Sequence, residues 1–408
     1  MKKNVLFVIL CLIPTIMSYS QWKRITDIPA YGISNLDLVN NVLYVGFDTV
    51  LYRSSDAGLT WNITNPISNS PKLIQVVAGF AGKLFVGTSG TGVFTSADDG
   101  ITWQQINTGL NDPGAANISS FVEWKGKLLA ATYGAGTFIL NPDMQSWTSF
   151  GNLPLIAGTV YAITTIGDTL IAGAGASGYI YRLTPGSSQW DPISFSGGST
   201  IPAVSFVQLN GILYAGSIFG VWRSSDNGLT WENASNGLYP DGEYFITAFK
   251  NTLYAAARIK YATYLYKSTD RGDNWIFDDP VIPNYAYDME ISGNKIFLTS
   301  VDGLLYRDIQ VTNTNDNNSV PKSFSLSQNY PNPFNPVTII SYALPKASHV
   351  TIKVYDILGR EVTTLVNEEK NAGNYNAQFS AGKLASGIYL YKMQAGNFQE
   401  TKKLLIMK

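Results

Sequence analysis

Short apolar runs, separated by turns rich in Gly or Asn, recur along most of the chain. Six units share one pattern: NNVLYVGF (40–47), AGKLFVGT (81–88), KGKLLAAT (125–132), GDTLIAGA (167–174), NGILYAGS (210–217) and KNTLYAAA (250–257). A seventh unit, SGNKIFLTS (292–300), follows them. Such runs with glycine-rich turns are typical of β strands joined by hairpins, and long stretches of helical spacing are absent. The pattern therefore predicts an all-β protein.

Tryptophan marks the period of this repeat. Seven of the nine Trp residues follow one another at intervals of 39, 42, 44, 43, 41 and 44 residues, at Trp22, Trp61, Trp103, Trp147, Trp190, Trp231 and Trp275. A period near 40 residues with four short strands per unit is typical of a β-propeller blade. The seventh unit reaches no Trp, whereas QWKRI (21–25) is similar to the strands that end other units. We therefore predict a seven-bladed propeller over 21–309, closed by an N-terminal strand.

Four octapeptides share the pattern Ser-x-Asp-x-Gly-x-Thr-Trp, the last having Asn274 in place of Thr. The Asp can accept hydrogen bonds from the backbone ahead of it, the Gly allows positive φ, and the Trp buries a large ring. We interpret these residues as structural turns between strands. They are Ser54, Asp56, Gly58 and Trp61; Ser96, Asp98, Gly100 and Trp103; Ser224, Asp226, Gly228 and Trp231; and Ser268, Asp270, Gly272 and Trp275.

These octapeptides resemble the Asp-box, also called the bacterial neuraminidase repeat. Sialidases, some xyloglucan-degrading glycosidases, sortilin-type receptors and photosystem II assembly factors share it. The resemblance thus implies a fold, and the function has to be argued from a site.

The first twenty residues have the pattern of a secretory signal peptide. Lys2 and Lys3 precede an apolar core at 5–17, and small residues lead to a predicted cleavage between Ser20 and Gln21. The apolar run is too short for a good membrane span. The single cysteine, Cys11, lies in this core, so we expect a mature chain without disulfides.

Net charge separates two regions. Residues 21–311 contain 16 Lys and Arg against 23 Asp and Glu, a net charge of −7, whereas residues 321–408 contain 10 against 5, a net of +5. Between them, the Asn-rich segment 310–322 is typical of a linker. An acidic propeller has no basic stripe for phosphates, so we do not expect nucleic acid as a partner.

Residues 323–408 are predicted to form a small immunoglobulin-like β-sandwich. Six strand-like segments alternate with glycines: 338–344, 349–357, 361–366, 374–380, 387–394 and 399–407.

This region resembles the type A C-terminal sorting domain of the type nine secretion system. The resemblance rests on LSQNYPNPFNP (326–336), VYDILGREV (354–362), SGIYLYKM (386–393) and KKLLIMK (402–408), including Pro331, Asn332, Pro333, Phe334, Gly359, Gly387, Tyr389 and Lys392. It implies entry into the periplasm, translocation across the outer membrane, and removal of the domain by a sortase. The expected partners are the translocon and the sortase, and anionic lipopolysaccharide where the product is anchored.

A sialidase site needs three converging arginines, because the guanidinium fork binds a carboxylate. Five of the seven propeller arginines occupy repeated or octapeptide positions: Arg53, Arg182, Arg223, Arg271 and Arg307. Only Arg24 and Arg258 are left, and the Arg-Ile-Pro motif is absent. The sequence does not support a sialidase.

Other glycosidases need two carboxylates, about 5 to 9.5 Å apart. The candidates are Asp37, Asp112, Glu123, Asp241, Glu243, Asp288 and Glu290. We expect no metal and no cofactor. The sole histidine, His349, lies in the C-terminal region, each octapeptide supplies a single carboxylate, and the glycine-rich turns join strand to strand.

Recognition is therefore the preferred hypothesis, and a polysaccharide-cleaving hydrolase is the alternative. In a propeller, the turns between second and third strands share a face with the loops that enter each blade, and the octapeptides lie on the opposite face. Exposed aromatic and polar residues there would suit glycan rings or peptides. The candidates are Phe47, Asp48, Tyr133, Phe219, Tyr239, Asp241, Tyr244, Arg258, Lys260 and Tyr261.

Overall fold

The computed structural model describes most of the chain from residue 22 onward, and every regular element in these residues is a β strand. The described residues are 22–67, 73–112, 114–153, 159–175, 178–193, 202–260, 262–282, 285–309, 321, 323–329, 332, 334, 337–382 and 384–407. The predicted signal peptide, its cleavage site, most of the linker, Tyr261, Pro331 and Pro333 lie outside them.

The first 28 strands form seven four-stranded antiparallel sheets. The last of these sheets includes the N-terminal strand β1 (Lys23–Arg24). The first two sheets contain β2 (Ile33–Val39), β3 (Val42–Phe47), β4 (Val50–Ser54) and β5 (Asn62–Ile63), then β6 (Ile74–Phe80), β7 (Lys83–Thr88), β8 (Val93–Ser96) and β9 (Gln104–Gln105). The third and fourth contain β10 (Ile118–Trp124), β11 (Lys127–Thr132), β12 (Thr137–Leu140) and β13 (Trp147–Ser149), then β14 (Val160–Ile166), β15 (Thr169–Ala174), β16 (Ile180–Leu183) and β17 (Asp191–Ile193). The fifth contains β18 (Ala203–Leu209), β19 (Ile212–Ser217), β20 (Gly220–Ser224) and β21 (Glu232–Asn233). The sixth contains β22 (Glu243–Phe249), β23 (Thr252–Ile259), β24 (Ala262–Ser268) and β25 (Ile276–Ile282), and the seventh continues with β26 (Ala286–Ser292), β27 (Lys295–Ser300) and β28 (Gly303–Asp308).

The first strands of these sheets contact one another in a closed ring. Contacts run from β2 through β6, β10, β14, β18, β22 and β26, and return to β2. Each sheet is therefore a blade whose first strand lies innermost. The predicted all-β propeller architecture is confirmed.

The ring is closed by a strand from the other end of the chain. In β1, Lys23 pairs with Tyr306 and Arg24 with Leu305 of β28, and the Ile25 amide donates to the Leu304 carbonyl at 2.9 Å. Only two residues form this strand, fewer than the predicted 21–25.

Each octapeptide forms one rigid turn. In the third of them the Ser224 hydroxyl donates to Asp226 Oδ1 at 2.8 Å and accepts from the buried Gly228 amide at 2.8 Å. Gly228 has φ of 78°, which favours glycine. Asp226 also accepts from the Thr230 amide at 2.9 Å and from its hydroxyl at 2.5 Å. The turn is thus held by side chains that satisfy its backbone.

The fourth octapeptide keeps this geometry with a different residue. Asn274 replaces Thr, and its Nδ2 donates to Asp270 Oδ2 at 2.9 Å. A third-blade turn that does not fit the octapeptide pattern uses the same chemistry, since Asp143 accepts from the Ser146 hydroxyl at 2.6 Å and the Gln145 amide at 2.9 Å. The hydrogen-bond requirement therefore tolerates more sequences than the pattern suggested.

Tryptophan side chains join successive blades near the outer strands. The Trp147 indole donates to the Ile106 carbonyl of the preceding blade at 2.8 Å, and the Trp275 indole donates to the Ala234 carbonyl at 2.6 Å. Both rings are almost fully buried. The Trp103 indole likewise donates to the Asn65 carbonyl of the preceding blade at 3.1 Å, whereas the Trp231 indole donates to the Gly228 carbonyl of its own turn at 3.2 Å.

The C-terminal region is a sandwich of two sheets around one core. A three-stranded sheet contains β29 (Ser325–Leu326), β30 (Val337–Leu344) and β33 (Gly373–Ser380). A four-stranded sheet contains β32 (Glu361–Lys370), β31 (Ser348–Tyr355), β34 (Gly387–Ala395) and β35 (Phe398–Ile406), in that order.

We predict that Ser224→Ala destabilises the propeller by about 1–3 kcal/mol, because the buried Gly228 amide loses its acceptor. The neighbouring Ser225→Ala is the matched control, since Ser225 is exposed. Urea denaturation of both variants measures the difference. Equal midpoints for the two variants would contradict this role of the serine.

Deletion of residues 21–26 should leave β28 as an open sheet edge, lower the melting temperature and promote aggregation. The control is the double substitution Lys23→Ala/Arg24→Ala, which keeps the backbone pairing and removes two exposed side chains. Calorimetry and light scattering test this. A truncated chain that melts like its parent and stays monomeric would show that β1 does not close the ring.

Candidate functional site

The predicted ligand residues lie at the turns between second and third strands and in the loops that enter the blades. We call this side of the ring the hairpin face. Phe219 is 56% exposed at the turn between β19 and β20. Asp48, Asp241 and Lys260 are also exposed.

Two predicted contact residues are packed inside blades. Tyr244 has no exposed surface, and its hydroxyl donates to the Tyr239 carbonyl. Small residues opposite and nearby on β23, Ala255 and Ala257, leave room for this ring. The proposal of Tyr244 as a ligand contact is therefore corrected to a core residue. Phe47 is half-buried and packs edge-on against Tyr52, with ring centroids 6.1 Å apart.

Residues of the third, fourth and sixth blades lie near the hairpin-face ends of their strands. The rings of Tyr133 and Tyr161 pack edge-on with centroids 5.9 Å apart. Burial raises the pKa of Tyr133, with smaller contributions from Tyr161 and the Glu243 carboxylate. Glu243 forms an ion pair with Arg258, whose guanidinium lies 4.7 Å from the centroid of the Phe245 ring. We call Tyr133, Tyr161, Glu243, Arg258 and Phe245 the mouth cluster.

Sequence analysis identified part of this cluster. Tyr133 and Arg258 were predicted as ligand contacts and Glu243 as a catalytic candidate, whereas Tyr161 and Phe245 were missed. Tyr161 lies at the register shift of β14 between Val160 and Ala162, and Phe245 pairs with Ala256 in the regular strand β22. The available signal was that both aromatic residues lie near the start of an innermost strand.

Three carboxylates meet between the first and last blades. Burial, followed by the charge of Asp288, raises the pKa of Asp37 to about 8. Burial also raises the pKa of Asp288 to about 6 and that of Glu290 well above its ordinary value, the latter with help from both aspartates. The catalytic candidates Asp37, Asp288 and Glu290 are therefore brought together by ring closure.

Two of these carboxylates bind the backbone of the next blade. Asp288 Oδ2 accepts from the Leu36 amide at 3.2 Å, and Asp37 Oδ2 accepts from the Val77 amide at 2.8 Å. Serines make the same contact elsewhere: Ser120 accepts from the Ile163 amide at 3.4 Å and Ser205 from the Ile246 amide at 3.1 Å. These side chains therefore join the innermost strands of adjacent blades. The other catalytic candidates, Asp112, Glu123 and Asp241, are exposed.

An open hollow lies on the opposite, octapeptide face. Its volume is about 490 Å³, and its lining includes Leu38, Asp56, Phe249 and Ile291 from the first, sixth and seventh blades. The sequence predicted only structural roles on this face.

Within the described ranges, no group of three or more His, Cys, Asp or Glu residues is arranged to hold a metal ion. A search of the same residues finds no helix long and apolar enough to cross a membrane.

Comparison with protein families supports the prediction that the C-terminal module is a sorting domain. Residues 328–407 match the family described as the secretion system C-terminal sorting domain. This domain directs secretion through the periplasm to the outer-membrane cell surface, and it implies interaction with the type nine secretion machinery.

Comparison with individual proteins supports the propeller fold. The structure of YCF48 from Cyanidioschyzon merolae is 14% identical with a TM-score of 0.56, covering 70% of this chain and 98% of that one. A structure of YCF48 bound to D1 peptide is 17% identical with a TM-score of 0.57, covering 72% and 96%. A xyloglucanase from Hypocrea jecorina (strain QM6a) is 27% identical over 187 residues, which span 44% of this chain but only 21% of that enzyme.

Proton binding by the three carboxylates predicts a fall in stability as the pH rises. Their pKa values are higher in the folded chain than the ordinary 3.8 of Asp, so folding takes up protons. The stabilisation is complete below about pH 4 and is lost as the pH rises towards 8. Asp37→Asn should reduce the dependence of folding stability on pH between 6 and 8. The Asn side-chain oxygen can still accept a hydrogen bond from the Val77 amide. Urea midpoints measured from pH 4 to 9 test this.

The control for that experiment is Asp56→Asn. The Thr60 hydroxyl and amide lower the pKa of Asp56 to about 2, so its contribution is lost only as the pH falls below about 4. This variant should therefore show the same fall in stability between pH 6 and 8 as the parent. A flat parental profile from pH 4 to 8 would contradict proton uptake.

Proposed function

We propose that the chain is a cell-surface binding or scaffolding module, a seven-bladed propeller of the Asp-box type whose ligand is a glycan or a protein. The mature chain would begin near Gln21 and end within or close to 310–325, after cleavage by a signal peptidase and a sortase. The product would be released, or anchored through anionic lipopolysaccharide.

The mouth cluster carries this proposal. It combines two tyrosine rings, a guanidinium stacked on an aromatic ring and a carboxylate, contributed by the third, fourth and sixth blades. Aromatic faces beside a few fixed polar groups suit sugar rings and extended peptides. The Phe219 side chain, 56% exposed on the same face, would extend the contact.

A glycoside hydrolase is the second candidate, and the carboxylates of the first and last blades favour it. Their surroundings separate their pKa values, as in pairs where one group acts as the acid and the other as the base or nucleophile. The partial similarity to a xyloglucanase points the same way. Against it, Asp288 accepts a backbone hydrogen bond at the register position that Ser120 and Ser205 fill in other blades. Asp37 lies two residues beyond the equivalent position, Asn35, and accepts from the corresponding amide of the next blade. That equivalence supports a structural role, and we prefer binding.

Binding is tested with the secreted propeller on glycan and peptide arrays. We expect Tyr133→Ala/Phe219→Ala to weaken the binding of any captured ligand at least tenfold, with little change in melting temperature. Leu59→Ala and Leu229→Ala are matched controls, because both leucines are exposed on the octapeptide face. If the control variants lost binding and the double variant kept it, the site would lie on the octapeptide face and the proposal would be wrong.

The hydrolase alternative is tested by incubation with xyloglucan and other polysaccharides and detection of new reducing ends. We expect no release above background. Release that Asp37→Asn or Asp288→Asn abolishes, with binding retained, would replace our proposal by the hydrolase.

A further inference from the structure

Most sorting-domain motif residues are used inside the C-terminal module. The Phe334 amide donates to the Leu405 carbonyl at 3.0 Å, and Asn332 Oδ1 accepts from the Leu405 amide at 2.8 Å. The Phe334 ring is 3% exposed, and the buried Asn329 amide donates to the Tyr391 hydroxyl at 2.7 Å. The described part of the LSQNYPNPFNP segment therefore lies along β35 and covers an edge that would otherwise be open.

One motif instead presents apolar side chains to solvent. In the turn between β31 and β32, Ile357 is 73% exposed and Leu358 is 72% exposed. This turn is held firmly, because Asp356 Oδ1 accepts from the Leu358 amide at 2.9 Å and the Arg360 amide at 3.0 Å. Asp356 also pairs with the Arg360 guanidinium at 2.7 Å. A rigid turn that displays two adjacent large apolar residues suits recognition by a partner.

The exposed pair continues into an apolar area on the adjoining sheet. Tyr355, the last residue of β31, lies opposite Leu390 of β34. Ile388 and Leu390, on the outer face of this sheet, are 47% and 36% exposed. Lys403 lies directly opposite Leu390, and Lys392 follows it on the same face. The apolar area is thus bordered by positive charge.

This surface points away from the propeller. The opposite sheet of the sandwich contacts the sixth blade, where Asn376 Nδ2 donates to the Trp275 carbonyl and Ile339 packs in the core cluster of that blade. The outer face of the four-stranded sheet therefore remains accessible while the propeller is attached. An export signal has to be read in that state, before the module is removed.

We propose that Ile357, Leu358, Ile388 and Leu390, bordered by Lys392 and Lys403, form the surface that a protein of the type nine secretion machinery binds. The partner would present an apolar groove flanked by carboxylates. We prefer a protein to an anionic membrane, because electrostatic membrane binding takes clusters of roughly four to eight basic residues. Of the four basic residues in this area, Lys353 and Arg360 are already ion-paired with Glu361 and Asp356. This inference does not depend on the ligand of the propeller.

The test is the full chain with Ile357→Ser/Leu358→Ser, produced in a host with type nine secretion. We expect surface delivery to fall at least tenfold and the chain to accumulate in the periplasm, with the parental melting temperature. Leu59→Ser is the matched control, since Leu59 is 69% exposed in a turn held by Asp56 and lies outside the sorting module. That variant should be delivered like the parent.

Two further variants keep the result interpretable. Leu358→Met preserves an apolar side chain and should be delivered normally, which separates loss of the surface from loss of the fold. Lys392→Glu/Lys403→Glu should reduce delivery, because it reverses the charge that faces the partner. Parental delivery of the folded double serine variant would overturn the proposal. So would binding of purified chain to phosphatidylglycerol vesicles that the serine and glutamate variants lose together, because this surface would then read lipid.

Discussion

Contact between successive blades is the constraint on which the rest of this structure depends. A four-stranded sheet has two faces to bury and inner backbone groups to satisfy, and a single blade cannot do either alone. Each blade therefore contacts its neighbours at two distances from the ring axis. Near the outer strands, the Trp275 indole donates to a carbonyl of the preceding blade. At the innermost strands, the Asp37 carboxylate accepts from an amide of the following blade. Because each blade contacts both neighbours, β1 completes the seventh sheet at the point where the ring closes.

The same constraint affects how the acidic residues are interpreted. Ring closure brings Asp37, Asp288 and Glu290 together, and their perturbed pKa values taken alone would suggest a catalytic pair. Asp288, however, fills the register position where Ser120 and Ser205 make the same contact without charge. Asp37 makes the corresponding contact from a residue two positions further along its strand. The mouth cluster offers aromatic rings beside an ion pair, which suits a sugar or a peptide, and for that reason we prefer it as the binding site. The fold itself does not decide between these functions.

The two modules divide the work of a surface protein. The propeller contains the candidate ligand site, and the sorting module contains the signal for secretion. Within the sorting module, motif residues such as Phe334 maintain the sandwich, whereas Ile357 and Leu358 contribute almost nothing to its core. Motifs of the same sorting domain therefore have different physical roles, which depend on whether their side chains face the core or the solvent.

The sequence alone determined the features that follow from local patterns. The period in Trp, the turn chemistry of residues such as Ser224 and Asp226, and the apolar alternation of the C-terminal strands all depend on neighbours within a few residues. The propeller architecture and the sorting domain were therefore predictable. Tertiary structure decided everything that depends on which blades meet. It buried Tyr244, brought Tyr161 and Phe245 to the mouth cluster, and placed Asp37 beside Asp288 across more than two hundred residues. These outcomes depend on how the ring closes and on which face each side chain occupies, and local sequence does not encode contacts at that distance.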